Sequence, residues 1–260
     1  MFSIISVYHN KEILERNLLR SLKNQDTDYE LILIDNVKGQ FGSVAKTLNY
    51  GARQIKSQSQ YIAFVHQDVV LKSNSWLGDA EKILDSLPKL GVAGVAGKSK
   101  NRKGVITNIK HGVPPKLAGE IQIRNPMRVQ VLDECLAMVP RLIFDELQFD
   151  EKVCDDWHLY VVDYCLSIKK MGFDVYVIPL SLYHVSTGIP KKSYWQIVQS
   201  LGTLSGGYYQ TLKKLLKKHK NFYKWIYTTC GNWSTLYPLI LQRIWFLAKV
   251  GMGHLFKKFK

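Results

Sequence analysis

SIISV at residues 3–7, LILI at 31–34 and YIAFV at 61–65 are three short apolar runs, each long enough for one buried strand. Helical spacing of apolar residues separates them, first over 11–23 and then over 43–56. Strands that are apolar on both faces and alternate with helices predict a mainly parallel sheet covered by helices on both sides. The sequence therefore predicts an α/β protein with a Rossmann-like arrangement.

The same alternation continues further along the chain. Residues 98–132, rich in Gly, Pro and Lys, predict loops with short strands. The other predicted elements are a helix over 75–87, a strand over 91–97, a helix over 157–171, and short strands over 175–178 and 181–185.

Composition excludes several classes of protein. The 260 residues are 46% apolar and 22% charged, which is typical of a globular chain and not of a disordered one. The four cysteines form no CxxC pair, so neither a zinc ribbon nor a disulfide framework is expected. This use of cysteine is consistent with a reducing compartment. No GxGxxG follows the first strand and no GxxxxGK[ST] occurs, which argues against dinucleotide-binding and P-loop proteins. Neither a signal peptide nor a transmembrane helix is expected.

Charge divides the chain into two parts. Residues 191–260 hold 13 of the 36 Lys and Arg residues and no Asp or Glu, so residues 1–190 carry 23 basic and 21 acidic side chains. Four of the six tryptophans also lie after residue 190. This break predicts a near-neutral domain over 1–190 and a basic, aromatic, helical appendage over 191–260.

Polar residues follow each of the first three predicted strands. They are Tyr8-His9-Asn10 after the first, Asp35-Asn36 after the second and His66-Gln67-Asp68 after the third. In a sheet of this kind a ligand binds beyond the carboxyl ends of the strands. These residues are therefore candidates for a binding site.

Five segments follow one another in a recognisable order: SIISVYHN, ELILIDN, AKTLNYGAR, QYIAFVHQDVVL and FDEKVCDDWHLYVVDYCLSIKKMGFDVYVIPLSLYHVSTG. Their order and spacing over residues 1–190 resemble family-two glycosyltransferases of the GT-A fold. The HQD sequence, WHLY and H-x-S-x-G together are similar to the capsule-type, glycosyltransferase-like branch.

The resemblance implies a nucleotide-sugar donor, with a uridine nucleotide as the family default. Asp35 could instead be a turn residue, and Asn49 and Gly51 could serve ordinary packing of a helix on the sheet. The residues placed at the donor by the resemblance are Tyr8, Asp35, Asn36, Asn49, Gly51, His66 and Gln67.

The resemblance also implies a divalent cation, Mn²⁺ or Mg²⁺, that neutralises the leaving diphosphate. Asp68 corresponds to the last acid of the family's DxD motif, and His184 to a histidine after a late strand. His66 replaces the first acid, so it either ligates the cation or contacts the donor. The alternatives are a strand-end turn for Asp68 and hydrogen-bonded core histidines for His66 and His184.

An inverting transfer needs a base that deprotonates the acceptor hydroxyl. In the family this base stands near the start of a helix, at a position that falls on Val161 here. Asp155, Asp156 and Asp163 are the acids nearby, of which Asp156 is favoured and Asp163 is second. His158 would position the acceptor or the base, unless it only packs, and Asp155 or Asp156 could instead cap the helix.

The appendage has the composition of a membrane-surface segment. Three amphipathic helices are predicted near 191–201, 207–219 and 234–249, and the last mixes Trp, Leu and Ile with basic residues. A solvated basic face with aromatics packed on the domain, an oligomer interface and a nucleic-acid groove are the alternatives. The apolar bulk favours an anionic membrane surface over nucleic acid.

These observations predict a metal-dependent, inverting glycosyltransferase of the hexosyltransferase type. It would act in bacterial surface polysaccharide synthesis on a glycan or polyprenyl-linked acceptor. Its expected location is cytoplasmic, peripheral at the inner face of the cell membrane. The second interpretation is a catalytically silent relative that binds a nucleotide or a glycan, because the two-carboxylate motif and the usual base are absent.

Overall fold

The structure is a computed structural model that describes residues 1–112, 114–185 and 206–245. The helix predicted near 191–201 and the end of the one predicted over 234–249 lie outside the described residues. Residues 239–245, within the latter, are helical. No helix of the described ranges is long and apolar enough to cross a bilayer.

The described elements alternate between strands and helices. The helices are α1 (Lys11–Leu14), a π-helical turn (Glu15–Leu19), α2 (Arg20–Leu22), α3 (Val44–Ala52), α4 (Trp76–Asp85), α5 (Arg141–Glu146), α6 (Tyr160–Lys170) and α7 (Gly206–His219). The strands are β1 (Phe2–Tyr8), β2 (Tyr29–Asp35), β3 (Tyr61–Val65), β4 (Val69–Leu71), β5 (Leu90–Gly94), β6 (Ala96–Lys98), β7 (Ile106–Thr107), β8 (Lys110–His111), β9 (Lys116–Leu117), β10 (Met127–Arg128), β11 (Val131–Leu132), β12 (Leu136–Pro140), β13 (Asp174–Val177), β14 (Leu182–His184), β15 (Trp225–Thr228) and β16 (Gly231–Ser234).

A seven-stranded sheet in the order β10-β13-β5-β12-β3-β1-β2 forms the centre of the fold. β1 pairs in parallel with β2 and β3, and β13 pairs in parallel with β5. β12 runs antiparallel to β3 and β5, and β10 runs antiparallel to β13. Five of the seven strands thus point the same way, which confirms the predicted mainly parallel sheet.

Apolar side chains fill both faces of this sheet. One cluster joins residues of α3, α6 and α7 to alternate residues of the strands, such as Ile5, Phe64 and Val92. The other joins α1, the π-helical turn, α2 and α4 to the opposite residues, such as Ile4, Ala63 and Ala93. This alternation follows from the two-residue side-chain period of a strand, and it confirms the predicted α/β class.

The structure differs in three places from the elements that the sequence predicts. The strand predicted over 91–97 divides at Val95 into β5 and β6, which belong to different sheets. The helix predicted from 157 begins at Tyr160, after Leu159, whose φ is positive at 68°. Strands β15 and β16 form an antiparallel hairpin that the helical spacing did not reveal.

α7 lies in the basic part of the chain but packs into the main core. Its Tyr208, Leu212 and Leu215 are buried against the cluster that contains α3 and α6. Trp233 of the hairpin is 1% exposed in the same cluster. The division of the chain at residue 190 stays a prediction, and any appendage it defines is attached to the core by this helix and this hairpin.

Candidate active site

A cavity of about 610 Å³ opens at the carboxyl edge of the central sheet. Four of the predicted donor and metal residues line it: Asn36, His66, Gln67 and Asp68. Its walls also include His9, one of the strand-end candidates, and Phe41, Trp157 and Tyr160, to which the sequence analysis gave no role. The cavity is therefore where the ends of β1, β2 and β3 meet the start of α6.

The ends of β1 and β2 shape one side of this cavity. The parallel register places Tyr8 beside Asp35, and the Tyr8 hydroxyl donates to the Asp35 carboxylate at 3.0 Å. The Asn36 side chain accepts from the backbone N–H of Phe41 at 2.9 Å and donates to its carbonyl oxygen at 3.3 Å. Asn36 thus closes the loop between β2 and α3, and Asp35 stays exposed with Tyr8 as its neighbour.

Gln67 connects the ends of two strands. Its Oε1 accepts from the backbone N–H groups of His9 and Asn10, both at 3.1 Å, and its Nε2 lies 2.9 Å from the His9 ring. Asn10 in turn caps α1 by accepting from Ile13 N. Gln67 therefore lines the cavity and also fixes the position of the loop that follows β1.

His66, Asp68 and His184 form the one cluster of potential metal ligands found in the described residues. One ligand atom from each side chain lies within 4.8 Å of the other two. Strand β14 pairs antiparallel with β4 and places His184 opposite Val69, next to Asp68. Nε2 of His184 lies 3.2 Å from Oδ1 of Asp68. Residues 116 positions apart in the chain are thus assembled by the pairing of two short strands.

Electrostatics in this cluster favour the cation-binding forms of His66 and Asp68, whereas His184 is favoured in the protonated form and must release that proton to bind a cation. Burial lowers the pKa of His66, although the charge of Asp68 opposes it, so its imidazole is neutral. Burial alone would raise the pKa of Asp68, but the hydrogen bond and charge of His184 hold it below its usual value. Asp68 raises the pKa of His184 against the effect of burial. One carboxylate and two imidazoles suit a divalent transition metal such as Mn²⁺.

Asn49 and Gly51 have packing roles and do not line the cavity. The Asn49 amide donates to the Phe149 carbonyl and accepts from its N–H, and it also donates to Glu151. A Cβ at Gly51 would lie 2.6 Å from Ile34 and 2.7 Å from Ile5, so glycine lets α3 pack closely on the sheet. Their contacts hold α3 in place, and their assignment as donor ligands stays a prediction.

Asp163, the second candidate for the base, lies buried between α6 and α7, and its role as base stays a prediction. It is 2% exposed in α6. Its Oδ1 lies 2.8 Å from Nε2 of His219, and its Oδ2 accepts from Lys218 at 2.6 Å. Both oxygens are occupied by residues of α7, so Asp163 joins two helices.

Asp156 and His158 lie just before α6, beside the cavity. Oδ1 of Asp156 accepts from the N–H of Trp157, and a Cβ at Gly207 would overlap its Oδ2. The ring of His158 packs edge-on against Tyr208 at 5.7 Å, and burial lowers its pKa against the opposing charge of Asp156. The two residues border the cavity wall at Trp157 without lining it.

Glu134 is an acid that sequence reasoning did not consider. Burial raises the pKa of its carboxyl to about 8, Asp133 adds to the rise, and the first N–H groups of α6 oppose it. Its backbone carbonyl accepts from the hydroxyl of Tyr160, which lies 3.4 Å from Nε2 of His66. The only signal in the sequence is an acidic pair directly before an apolar strand.

An α/β sheet of this topology, with a cavity and a His-Asp-His cluster at its carboxyl edge, defines a protein of the GT-A class. Comparison with protein families agrees with this assignment. The chain belongs to the family described as "Glycosyltransferase like family", whose model matches residues 3–219. No curated protein is a match.

Solved structures with this fold share little sequence with the chain. Mannosyltransferase PcManGT from Pyrobaculum calidifontis, in complex with GDP-Man and Mn²⁺, is 14% identical with a TM-score of 0.55 over 86% of this chain and 65% of its own. GalNAc-T7 with UDP, GalNAc and Mn²⁺ is 13% identical with a TM-score of 0.52, over 71% and 44%. S. aureus TarS 1–349 with UDP-GlcNAc is 13% identical with a TM-score of 0.50, over 86% and 73%. The chain thus spans under half of the second of these structures and about two thirds of the first, and these likenesses show the fold.

Proposed function

We propose that the protein is a metal-dependent, inverting glycosyltransferase that moves a sugar from a nucleotide-diphosphate donor to a glycan or lipid-linked acceptor. The observation that carries the proposal is the His66, Asp68 and His184 cluster at the carboxyl edge of the sheet. Family membership over residues 3–219 supports it. So does the fold, which the chain has in common with structures that hold a nucleotide or a nucleotide sugar.

The donor nucleotide would occupy the cavity that Asn36, Gln67 and Phe41 shape. Asp35 is exposed at the end of β2 and can accept hydrogen bonds from a ribose or a base, with Tyr8 orienting its carboxylate. A uridine nucleotide is the proposed default. The cavity volume of about 610 Å³ falls in the range of small-molecule sites.

The three residues of the cluster fit a divalent cation. Asp68 is held ionised, His66 is held neutral, and His184 can give up its hydrogen bond to Asp68 when a metal ion replaces it. Mn²⁺ or Mg²⁺ bound there would neutralise charge that develops on the leaving diphosphate. His66 is placed to ligate the ion or to contact the donor.

Asp156 is the proposed base, and Glu134 is the second candidate. Asp156 stands beside Trp157 at the cavity wall, and in an inverting transfer a carboxylate there would accept the proton of the acceptor hydroxyl. Glu134 is next to Tyr160 of the cavity wall, whose hydroxyl donates to the Glu134 backbone carbonyl. A carboxyl with a raised pKa of about 8 is suited to proton transfer near neutral pH. His158 would position the acceptor or the base.

The proposed setting is the synthesis of a bacterial surface polysaccharide at the inner face of the cell membrane. The net charge of +13 over residues 191–260 supports association with an anionic surface. A polyprenyl-linked acceptor would be presented at such a surface. The apolar bulk of this part of the chain favours a membrane surface over a nucleic-acid partner.

A silent relative that only binds a nucleotide is the second candidate function. His66 at the first position of the metal motif and Val161 at the usual base position favour it. Turnover of a sugar donor distinguishes the enzyme from the silent relative. Purified full-length protein is incubated with UDP-sugars and GDP-sugars and Mn²⁺, and release of the nucleoside diphosphate is measured with and without a chelator.

The enzyme interpretation expects Mn²⁺-dependent release of a nucleoside diphosphate from at least one donor. Nucleotide binding by calorimetry without any turnover would support the silent relative. Turnover that a chelator leaves unchanged would remove the metal-dependent mechanism.

A further inference from the structure

α7 carries two sets of lysines with different surroundings. Lys214 pairs with Asp155, and Lys218 pairs with Asp150 and Asp163, so these side chains attach the helix to the core. Lys213, Lys217 and Lys220 point to another side and take part in none of the ion pairs between described residues. Since residues 191–260 contain no acid, this second set has no carboxylate nearby in sequence.

These three lysines surround a small pocket. It has a volume of about 210 Å³ and lies between α7, the end of β16 and the start of the last described helix. The rest of its wall is formed by Leu216, Ser234, Thr235, Tyr237 and Leu239. Three cationic side chains that line one pocket create a local positive potential suited to a phosphate group, because a bound anion relieves the repulsion between the lysines.

An exposed apolar stripe begins at the rim of this pocket. Ile240 and Ile244 are both 58% exposed, and Leu241 and Trp245 repeat the same spacing of four residues along the helical segment 239–245. Side chains at this spacing share one face of a helix. Tyr237 belongs both to the wall of the phosphate pocket and to a groove of about 760 Å³ that Trp225, Leu241 and Trp245 line.

A charged pocket and an apolar stripe that meet at a tyrosine match the two parts of a phospholipid. Lysines bind its phosphate, while Trp, Tyr and Ile side chains favour the boundary between headgroups and acyl chains. We infer that the Lys213, Lys217 and Lys220 pocket binds the phosphate headgroup of an anionic lipid and seats the protein on the membrane. This inference rests on the membrane association included in the proposed function and assigns a site to it.

Two kinds of anionic vesicle of equal surface charge test the site. One contains phosphatidylglycerol in phosphatidylcholine, and the other contains oleate, whose charge is a carboxylate. Full-length protein should cosediment more strongly with the phosphatidylglycerol vesicles. The triple variant Lys213→Gln/Lys217→Gln/Lys220→Gln should lose this preference and roughly 100-fold in affinity.

A charge-matched variant serves as control. Arg20, Lys23 and Lys82 are exposed and lie on, or directly after, helices that pack on the opposite face of the central sheet. Their replacement by Gln removes the same charge at a distance beyond the screening length of about 10 Å, so vesicle affinity should fall by less than about threefold. Ile240→Gln/Ile244→Gln should weaken binding to both vesicle types equally.

The results separate the site from general charge attraction. Equal losses in the two triple variants, or equal binding of the wild type to both vesicle types, would overturn the phosphate pocket. UDP binding with Mn²⁺ is measured in parallel on every variant and should stay unchanged. If the wild type binds UDP but not vesicles, the membrane inference fails and the proposed transferase function is unaffected. If it binds vesicles but not UDP, the proposed transferase function fails and the membrane site is unaffected.

Discussion

Asp68 contributes the single carboxylate to the candidate metal cluster, between two imidazoles. Asp68→Asn keeps the size of the side chain and its ability to accept a hydrogen bond from His184, but removes the charge. We expect Mn²⁺-dependent binding of UDP to weaken by roughly 100-fold, since a metal ligand is lost. Isothermal calorimetry with and without Mn²⁺ measures it. Asp145→Asn, an exposed acid paired with Arg141, is the control and should bind as the wild type does.

Asp156 is tested by a substitution that preserves its contacts. Asp156→Asn keeps an oxygen for the N–H of Trp157 but removes basicity, so folding should survive while sugar transfer falls by about 100-fold or more. Turnover of the donor in the presence of acceptor is the measurement. Near-wild-type turnover of this variant beside an inactive Glu134→Gln would assign the base to Glu134.

Glu134 makes stability depend on pH. Its folded pKa of about 8 lies above the ordinary value of 4.5, so between these two values the folded chain holds a proton that the unfolded chain has released. Stability therefore falls as pH rises through this window. Glu134→Gln should raise the melting temperature at pH 8 and make its pH dependence flatter. Glu146→Gln, an exposed acid on α5, should leave the slope unchanged, and an unchanged slope for Glu134→Gln would contradict the assignment.

At the level of single elements, the junction of α6 and α7 depends on one buried acid. Asp163→Asn leaves the fully buried His219 without its charged partner and Lys218 with Asp150 alone, so we expect a loss of about 3 kcal/mol in the free energy of unfolding. Urea denaturation measures it. Asp155→Asn breaks the more exposed pair with Lys214 and should cost less than about 1 kcal/mol. Equal costs would mean that burial of the Asp163 pair is not what holds the two helices together.

The elements that the sequence predicted well are those with a clear apolar period. β3 lies at its predicted bounds, and α3 begins after Ser43, whose side chain caps it by accepting from Lys46 N. The hairpin of β15 and β16 was missed because its strands are four residues each and only Ile226 and Trp233 supply its apolar contacts with the core. Short strands carry too few side chains to show a period.

The sequence predicts those residues of the candidate site that directly follow a strand. It does not reveal the residues whose environment depends on tertiary contacts. His66 and Asp68 follow β3 directly, so a sheet topology suffices to place them. The burial of Asp163 could not be foreseen, because its partners lie 55 and 56 residues later in a helix that had been predicted to face a membrane. Glu134 shows the same limit, since its pKa depends on burial that only the fold creates.

At the scale of the whole molecule, the exposed apolar stripe of the helical segment 239–245 can be removed while the core is retained. A chain that ends at residue 235 retains α7, the hairpin and the buried Trp233, but lacks Tyr237, Ile240 and Ile244. We expect it to melt within a few degrees of the full chain, to bind UDP with Mn²⁺ normally, and to lose most affinity for phosphatidylglycerol vesicles. Calorimetry and cosedimentation measure these properties. Undiminished vesicle binding by the shortened chain would mean that the stripe is a packed part of the fold or an oligomer interface.

The distribution of the four cysteines gives the molecule a built-in reporter. Cys135, Cys154 and Cys165 are buried, whereas Cys230 is exposed in the turn between β15 and β16. This turn lines the groove that Trp225 and Trp245 share. An environment-sensitive dye attached through a maleimide would therefore enter at a single native thiol, and its emission would follow in real time what enters or leaves that groove.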